Sequence, residues 1–153
     1  MQTMKSRIDL VTEVFGVVGR FRRQLRRSVP RGFESARLTE SQAELLWLIG
    51  RQPGISISAA AAELGLVPNT ASTLVSKLVS NGLLLRTVDA TDRRVGRLRL
   101  VGPTQQIVDA SRSTRRALLA EVLSELDGDQ IDSLTKGLEV LATMTQLLQE
   151  RQR

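Results

Sequence analysis

Two helical segments in the middle of this chain have almost no room between them. The stretch ISISAAAAELG, residues 55–65, offers Ser56 or Ser58 as a start signal, an alanine run of high helix propensity, and Gly65 as a stop. After only Leu66 and Val67, the stretch PNTASTLVSKLVSNG opens with Pro68 at a first helical position and closes on Asn81 and Gly82. Two short helices joined by so tight a turn form a helix-turn-helix.

The second of these helices divides cleanly into faces. Ala71, Leu74, Val75 and Leu78 make an apolar stripe, while Asn69, Ser72, Thr73, Ser76 and Lys77 project from the other side. An ordinary solvated face carries pairs of Glu and Lys, yet no acid stands anywhere between Glu63 and Asp89. Short hydroxyls and an amide near a helix N-terminus can approach base edges, and the positive end of the helix dipole favours phosphate. Such a face suits a polyanion.

Directly behind this helix, Leu83–Val88 reads as one strand, and Arg97–Val101, with basic and leucine residues alternating, reads as its return. The bend between them carries Arg93 and Arg94 to its tip, with Arg97 and Arg99 along one face. A lone basic hairpin is usually just solvated. Behind a helix-turn-helix the same ribbon is a wing, whose tip arginine fits a narrow, negative minor groove while the other arginines neutralise phosphates. Asp92 can hold a neighbouring guanidinium in one orientation through a charge-assisted bond.

The run VPNTASTLVSKLVSNGLLLR, followed by TDRR and an R-L-R-L strand, resembles the recognition helix and wing of the multiple antibiotic resistance regulator (MarR) family of winged helix-turn-helix transcription factors. LTESQAELLWLI resembles that family's second helix, so the resemblance covers roughly Leu38 to Val101. Val67 stands where the family often has a capping serine. The resemblance implies a homodimer whose terminal helices interlock and whose two lobes read half-sites of a near-palindrome. By similarity, Asn69, Thr70, Ser72, Thr73, Ser76 and Lys77 fall where the family contacts the major groove, and Asp92 and Arg94 fall in its wing motif. Together with Pro68, Arg86, Arg93 and Arg97 these are the candidate DNA-binding residues. The family's effector pocket, where dimerisation helices meet the lobes, would here involve Phe15 and Trp47 and admit a small organic molecule. The packing alternative for Trp47 is the core.

The flanks read as helices too. Ile8, Val11, Phe15 and Val18 recur at helical spacing in a segment whose last turns crowd Arg20, Arg22, Arg23, Arg26 and Arg27, and Pro30 with Gly32 ends it. Those arginines either complement the negative end of the helix dipole or meet phosphate. Thr39 and Gln42 have capping-box spacing, as do Asp127 and Gln130. After Thr104, a candidate cap, two further helices carry more apolar residues than one lobe needs, which favours burial against a twin. The expectation is a mainly α single MarR-like domain over residues 1–153. It comprises a winged helix-turn-helix lobe at 38–101 and dimerisation helices at 1–30 and 104–153.

Composition narrows the chemistry. A formal charge of +6, nearly all of it from arginine, suits an acidic polymer such as double-stranded DNA. Without Cys, His or Tyr the chain lacks thiol redox chemistry and imidazole acid–base catalysis and keeps only carboxylates as strong metal ligands, and no phosphate loop or serine elbow appears. An enzyme, a metal site and a cofactor are therefore not expected. Apolar runs are broken by charge well short of the ~20 residues a membrane span needs, so the cytoplasm is the expected location and no membrane partner is implied. The expected function is a ligand-responsive repressor binding a specific sequence. The alternatives are a winged-helix protein-interaction module without specific DNA binding and a non-specific architectural DNA binder.

Overall fold

The computed structural model describes residues 6–152, so residues 1–5 of the expected N-terminal segment, and residue 153, lie outside the described residues. Among the described residues, six α-helices and one two-stranded ribbon follow in chain order: α1 (Arg7–Ser28), α2 (Glu40–Arg51), α3 (Ile57–Leu64), α4 (Pro68–Ser80), β1 (Leu84–Val88), β2 (Gly96–Leu100), α5 (Gly102–Ser124) and α6 (Gly128–Glu150). A short 3-10 turn, Glu34–Ala36, lies between α1 and α2.

Helix starts follow local chemistry. The expected capping boxes at Thr39/Gln42 and Asp127/Gln130 both form, and α1 has a third at Ser6/Asp9. Each satisfies two backbone donors that a helix end leaves orphaned. Ser56, rather than Ser58, caps α3: its hydroxyl accepts from the Ala59 amide at 3.1 Å. The helix stops at Gly65, whose φ of +64° is the left-handed conformation that glycine adopts without cost. Helix α4 has no side-chain cap at Val67 and begins directly on Pro68, which needs no partner for a missing N–H.

One expected start is corrected. Thr104 does not cap α5. The helix begins three residues earlier than that cap would set it, at Gly102, with Val101 at the cap position and Pro103 inside the first turn, where proline's lost donor breaks no hydrogen bond. Thr104 is instead buried, 2% exposed.

The strands pair antiparallel with Leu84 opposite Leu100 and Val88 opposite Gly96. The chain before α3 lies alongside β2: Gly54 N donates to Leu98 O at 2.8 Å, and Leu98 N donates to Ile55 O at 3.0 Å. The ribbon is thus rooted on the turn between α2 and α3.

The core gathers Leu45, Leu46, Leu48 and Ile49 of α2 with Ala60, Val75, Leu78, Leu84, Leu98 and Val108. Gly50 lets α5 approach: a Cβ built there would lie 2.6 Å from Val108 Cγ1. Helices α1 and α6 contribute no buried residue, although their apolar stripes match the expected periodicity. Ile8, Val11, Phe15 and Phe21 on α1, and Leu138, Leu147 and Leu148 on α6, are all exposed in the single subunit.

The arginine cluster at the end of α1 divides in two. Arg26 and Arg31 each reach Glu40 Oε1 at 3.0 Å, and Arg22 reaches Glu44 at 3.0 Å. These pairs tether α1 and the loop after it to the first turns of α2. Arg20, Arg23 and Arg27 have no ion pair among the described residues.

Candidate nucleic-acid interface

Helix α4 turns Ala71, Val75 and Leu78 into the core, each at most 1% exposed. The same 3.6-residue period that buries them places Pro68, Asn69, Thr70, Ser72, Thr73, Ser76 and Lys77 in solvent. The hydroxyls of Ser72 and Ser76 donate to nothing among the described residues. Thr73 Oγ1 donates to Asn69 O at 2.9 Å, which commits its proton and leaves its lone pairs to accept. No carboxylate lies on this helix, so its polar face is uncharged apart from Lys77.

The ribbon that follows carries the arginines outward, but not all in one direction. In the observed register Arg86 stands opposite Leu98, whereas Arg97 stands opposite Thr87. Cross-strand partners share a face, so Arg86 and Arg97 lie on opposite faces of the wing. Arg86 lies close over Gly96, where a Cβ would come within 2.8 Å of its Nε.

At the tip, Arg93 and Arg94 are exposed, and the Arg94 side chain is 96% accessible. Asp92 and the Arg94 guanidinium form only a loose ion pair: Arg94 Nε lies 3.9 Å from Asp92 Oδ1, too far for the expected charge-assisted hydrogen bond. That oxygen accepts instead from the Arg94 backbone amide at 3.0 Å, because a carboxylate two residues ahead in a tight turn closes an Asx-turn more easily than it reaches a long side chain.

The strong charge-assisted bond in the wing involves residues that were not paired from the sequence. Asp89 Oδ2 accepts from Arg97 Nε at 2.7 Å. Asp89 Oδ1 accepts from Thr91 N at 2.8 Å, Thr91 Oγ1 at 2.7 Å and Asp92 N at 3.1 Å. The Thr91 hydroxyl and amide, then Arg97, hold the Asp89 carboxyl well below the usual carboxylate range, against a small opposing effect of burial. The signal was present in the sequence: the Asp-Ala-Thr spacing favours an Asx-turn, and counting back from the bend sets Asp89 beside Arg97. Arg97, expected on the DNA-facing set, is therefore engaged within the protein.

Trp47 and Phe15 do not share an enclosed pocket within the subunit. Phe15 is 78% exposed on α1, whereas Trp47 packs against the core. The Arg115 guanidinium of α5 sits 4.6 Å from the centroid of the Trp47 ring, a cation–π arrangement, and Arg115 Nη2 donates to Val29 O at 2.9 Å. Ser111 Oγ adds a bond to Pro30 O at 2.7 Å, so α5 anchors the exit from α1. Burial, followed by the charges of Arg31 and Arg26, pushes the Arg115 guanidinium below its ordinary pKa. Trp47 Nε1 and Arg115 Nε are buried donors without a partner among the described residues.

Comparison with known proteins agrees with this geometry. The MarR family model matches residues 38–95. No curated protein matches the chain in sequence. Among solved structures, Streptococcus pneumoniae FabT in complex with DNA superposes with a TM-score of 0.72 at 22% identity, covering 92% of this chain and 95% of that one. A MarR family protein from Bacillus stearothermophilus gives 0.66 at 20% identity, covering 93% and 99%. The S. aureus MepR–DNA complex gives 0.62 at 20% identity, covering 86% and 96%. Residues 38–95 thus resemble the MarR family in sequence, and the chain as a whole shares the fold of a solved MarR family protein.

Proposed function

We propose that this chain is a sequence-specific, double-stranded DNA-binding transcriptional regulator. The observation that carries the proposal is the joint exposure of an acid-free polar α4 face and, behind it, a wing tip whose Arg93 and Arg94 project into solvent. A helix of this kind in the major groove, with a cationic tip in the adjacent minor groove, reads bases and grips phosphate together. FabT and MepR, which share the fold, have been solved with DNA.

The working form is a homodimer acting as a repressor on a near-palindromic operator in the cytoplasm. Support for the dimer comes from the apolar residues of α1 and α6, which recur at helical spacing and lie uncovered in the single subunit. A twofold axis then presents two lobes about one helical turn of DNA apart, or a multiple of that. The candidate contacts remain Pro68, Asn69, Thr70, Ser72, Thr73, Ser76 and Lys77 on α4, and Arg86, Asp92, Arg93 and Arg94 on the wing.

Replacing Arg94 by alanine tests the wing contact. Duplex affinity is expected to fall, and the slope of log K against log salt to shrink by about 1, with the melting temperature unchanged because the side chain is solvated. Unchanged affinity and slope would assign the winged domain to protein interaction instead.

A small organic effector binding near Trp47 would release DNA by favouring a different spacing of the lobes. Two buried donors without acceptors, Trp47 Nε1 and Arg115 Nε, suit a ligand that brings an acceptor group. Titration with aromatic compounds is expected to quench the fluorescence of Trp47, the sole tryptophan. A flat response across a broad panel would remove this site.

A further inference from the structure

We propose that Asp89, acting with Arg97, is a positioning residue for the wing tip. Its carboxylate holds the 89–95 turn in the conformation that projects Arg93 and Arg94, and Arg97 serves this clamp rather than contacting DNA. The proposal rests on the DNA-binding reading above and extends it to residues that touch no base.

The clamp is built from independent contacts. One carboxylate accepts four donors: the Thr91 amide and hydroxyl, the Asp92 amide, and Arg97 Nε. The Asp89 amide in turn donates to Val95 O at 2.9 Å, and the Val95 amide donates to Asp92 O at 3.0 Å, so both ends of the turn are closed. Arg97 carries the restraint into the body of the lobe. Its Nη1 donates to Gly54 O at 3.3 Å, and its backbone bridges Ser56 at the cap of α3. The tip is therefore tied through Asp89 and Arg97 to the helix-turn-helix itself, while the Asp89 side chain is only 16% exposed. An exposed turn left to fluctuate would have to order on binding and would lose affinity by the entropy of that ordering.

Electrostatics and positioning predict opposite signs, which makes the test sharp. Removing a carboxylate near a polyanion should tighten binding by charge alone. With the clamp, Asp89→Ala is expected to weaken binding tenfold or more, and Asp89→Asn to fall between, because an amide oxygen still accepts from Thr91 and Asp92 but loses the ionic bond to Arg97. Arg97→Ala should weaken binding by a similar factor, and the Asp89→Ala/Arg97→Ala double variant should be no more than about twofold worse than the poorer single one.

Tight binding by Asp89→Ala, or additive losses in the double variant, overturns the clamp and returns Arg97 to the DNA-contacting set. Should Asp89→Ala fail to fold, Asp89→Asn and Arg97→Ala carry the comparison. Hydrogen exchange separates the clamp from the DNA reading. Without DNA, the Thr91 and Asp92 amides should exchange at least tenfold faster in Asp89→Ala than in the parent. Equal exchange rates reject the clamp, whereas a parent that binds no duplex while showing this difference rejects only the DNA reading.

Discussion

Replacing Ser72 with glutamate is expected to lower duplex affinity by about a hundredfold or more while leaving the protein as stable as before. Ser72 lies in the first half of α4 and is exposed, about 100° round the helix from the buried Ala71. A carboxylate there would face the negative groove and backbone of DNA, and like charges brought together in an interface cost several kcal/mol, where about 2.7 kcal/mol is already a hundredfold. Stability should not suffer, because glutamate is a good helix former and the side chain at this position is exposed. Fluorescence anisotropy with labelled duplex, alongside a thermal melt, measures both. Parent-like affinity would remove α4 from the interface.

The second large effect concerns the joint between wing and body. Leu98 is fully buried, belongs to the same cluster as Leu45, Leu46 and Ile49, and its backbone exchanges hydrogen bonds with Gly54 and Ile55. Leu98→Ala removes buried carbon from a packed site and leaves a cavity, so a loss of about 2–5 kcal/mol is expected. For a chain of this size that corresponds to a fall of roughly 4–20 °C in melting temperature. Denaturant unfolding gives the value directly, and a loss below about 0.5 kcal/mol would mean that Leu98 is not the anchor of the wing. Arg99→Ala, next in the chain but exposed, is the control and should leave stability nearly unchanged.

Most of the lobe was legible in the sequence because local chemistry dictates it. Gly65 and Pro68 leave no option but a tight turn, Thr39 with Gln42 announces α2, and the alternation through Arg97–Leu100 sets the inward leucines. The start of α5 was misread because Thr104 is a cap residue by type, yet its side chain is more valuable buried, and proline in the first turn lets the helix begin earlier. Side-chain partners across the hairpin were harder still. Sequence proximity pointed to Asp92 and Arg94, whereas the bond that forms joins Asp89 to Arg97, eight positions apart and adjacent only once the strands pair. The pairing of Arg22, Arg26 and Arg31 with Glu40 and Glu44 was hidden for the same reason: it depends on where α1 lies against α2.

Selection of genomic fragments by the purified protein, at a stated salt concentration and against excess random duplex, addresses the central claim most directly. A surface formed by α4 and the wing of a twofold dimer predicts recovery of a small set of fragments sharing a near-palindromic site, bound roughly a thousandfold or more tighter than random DNA. Recovery of fragments with no common sequence, or no recovery at all, would contradict it.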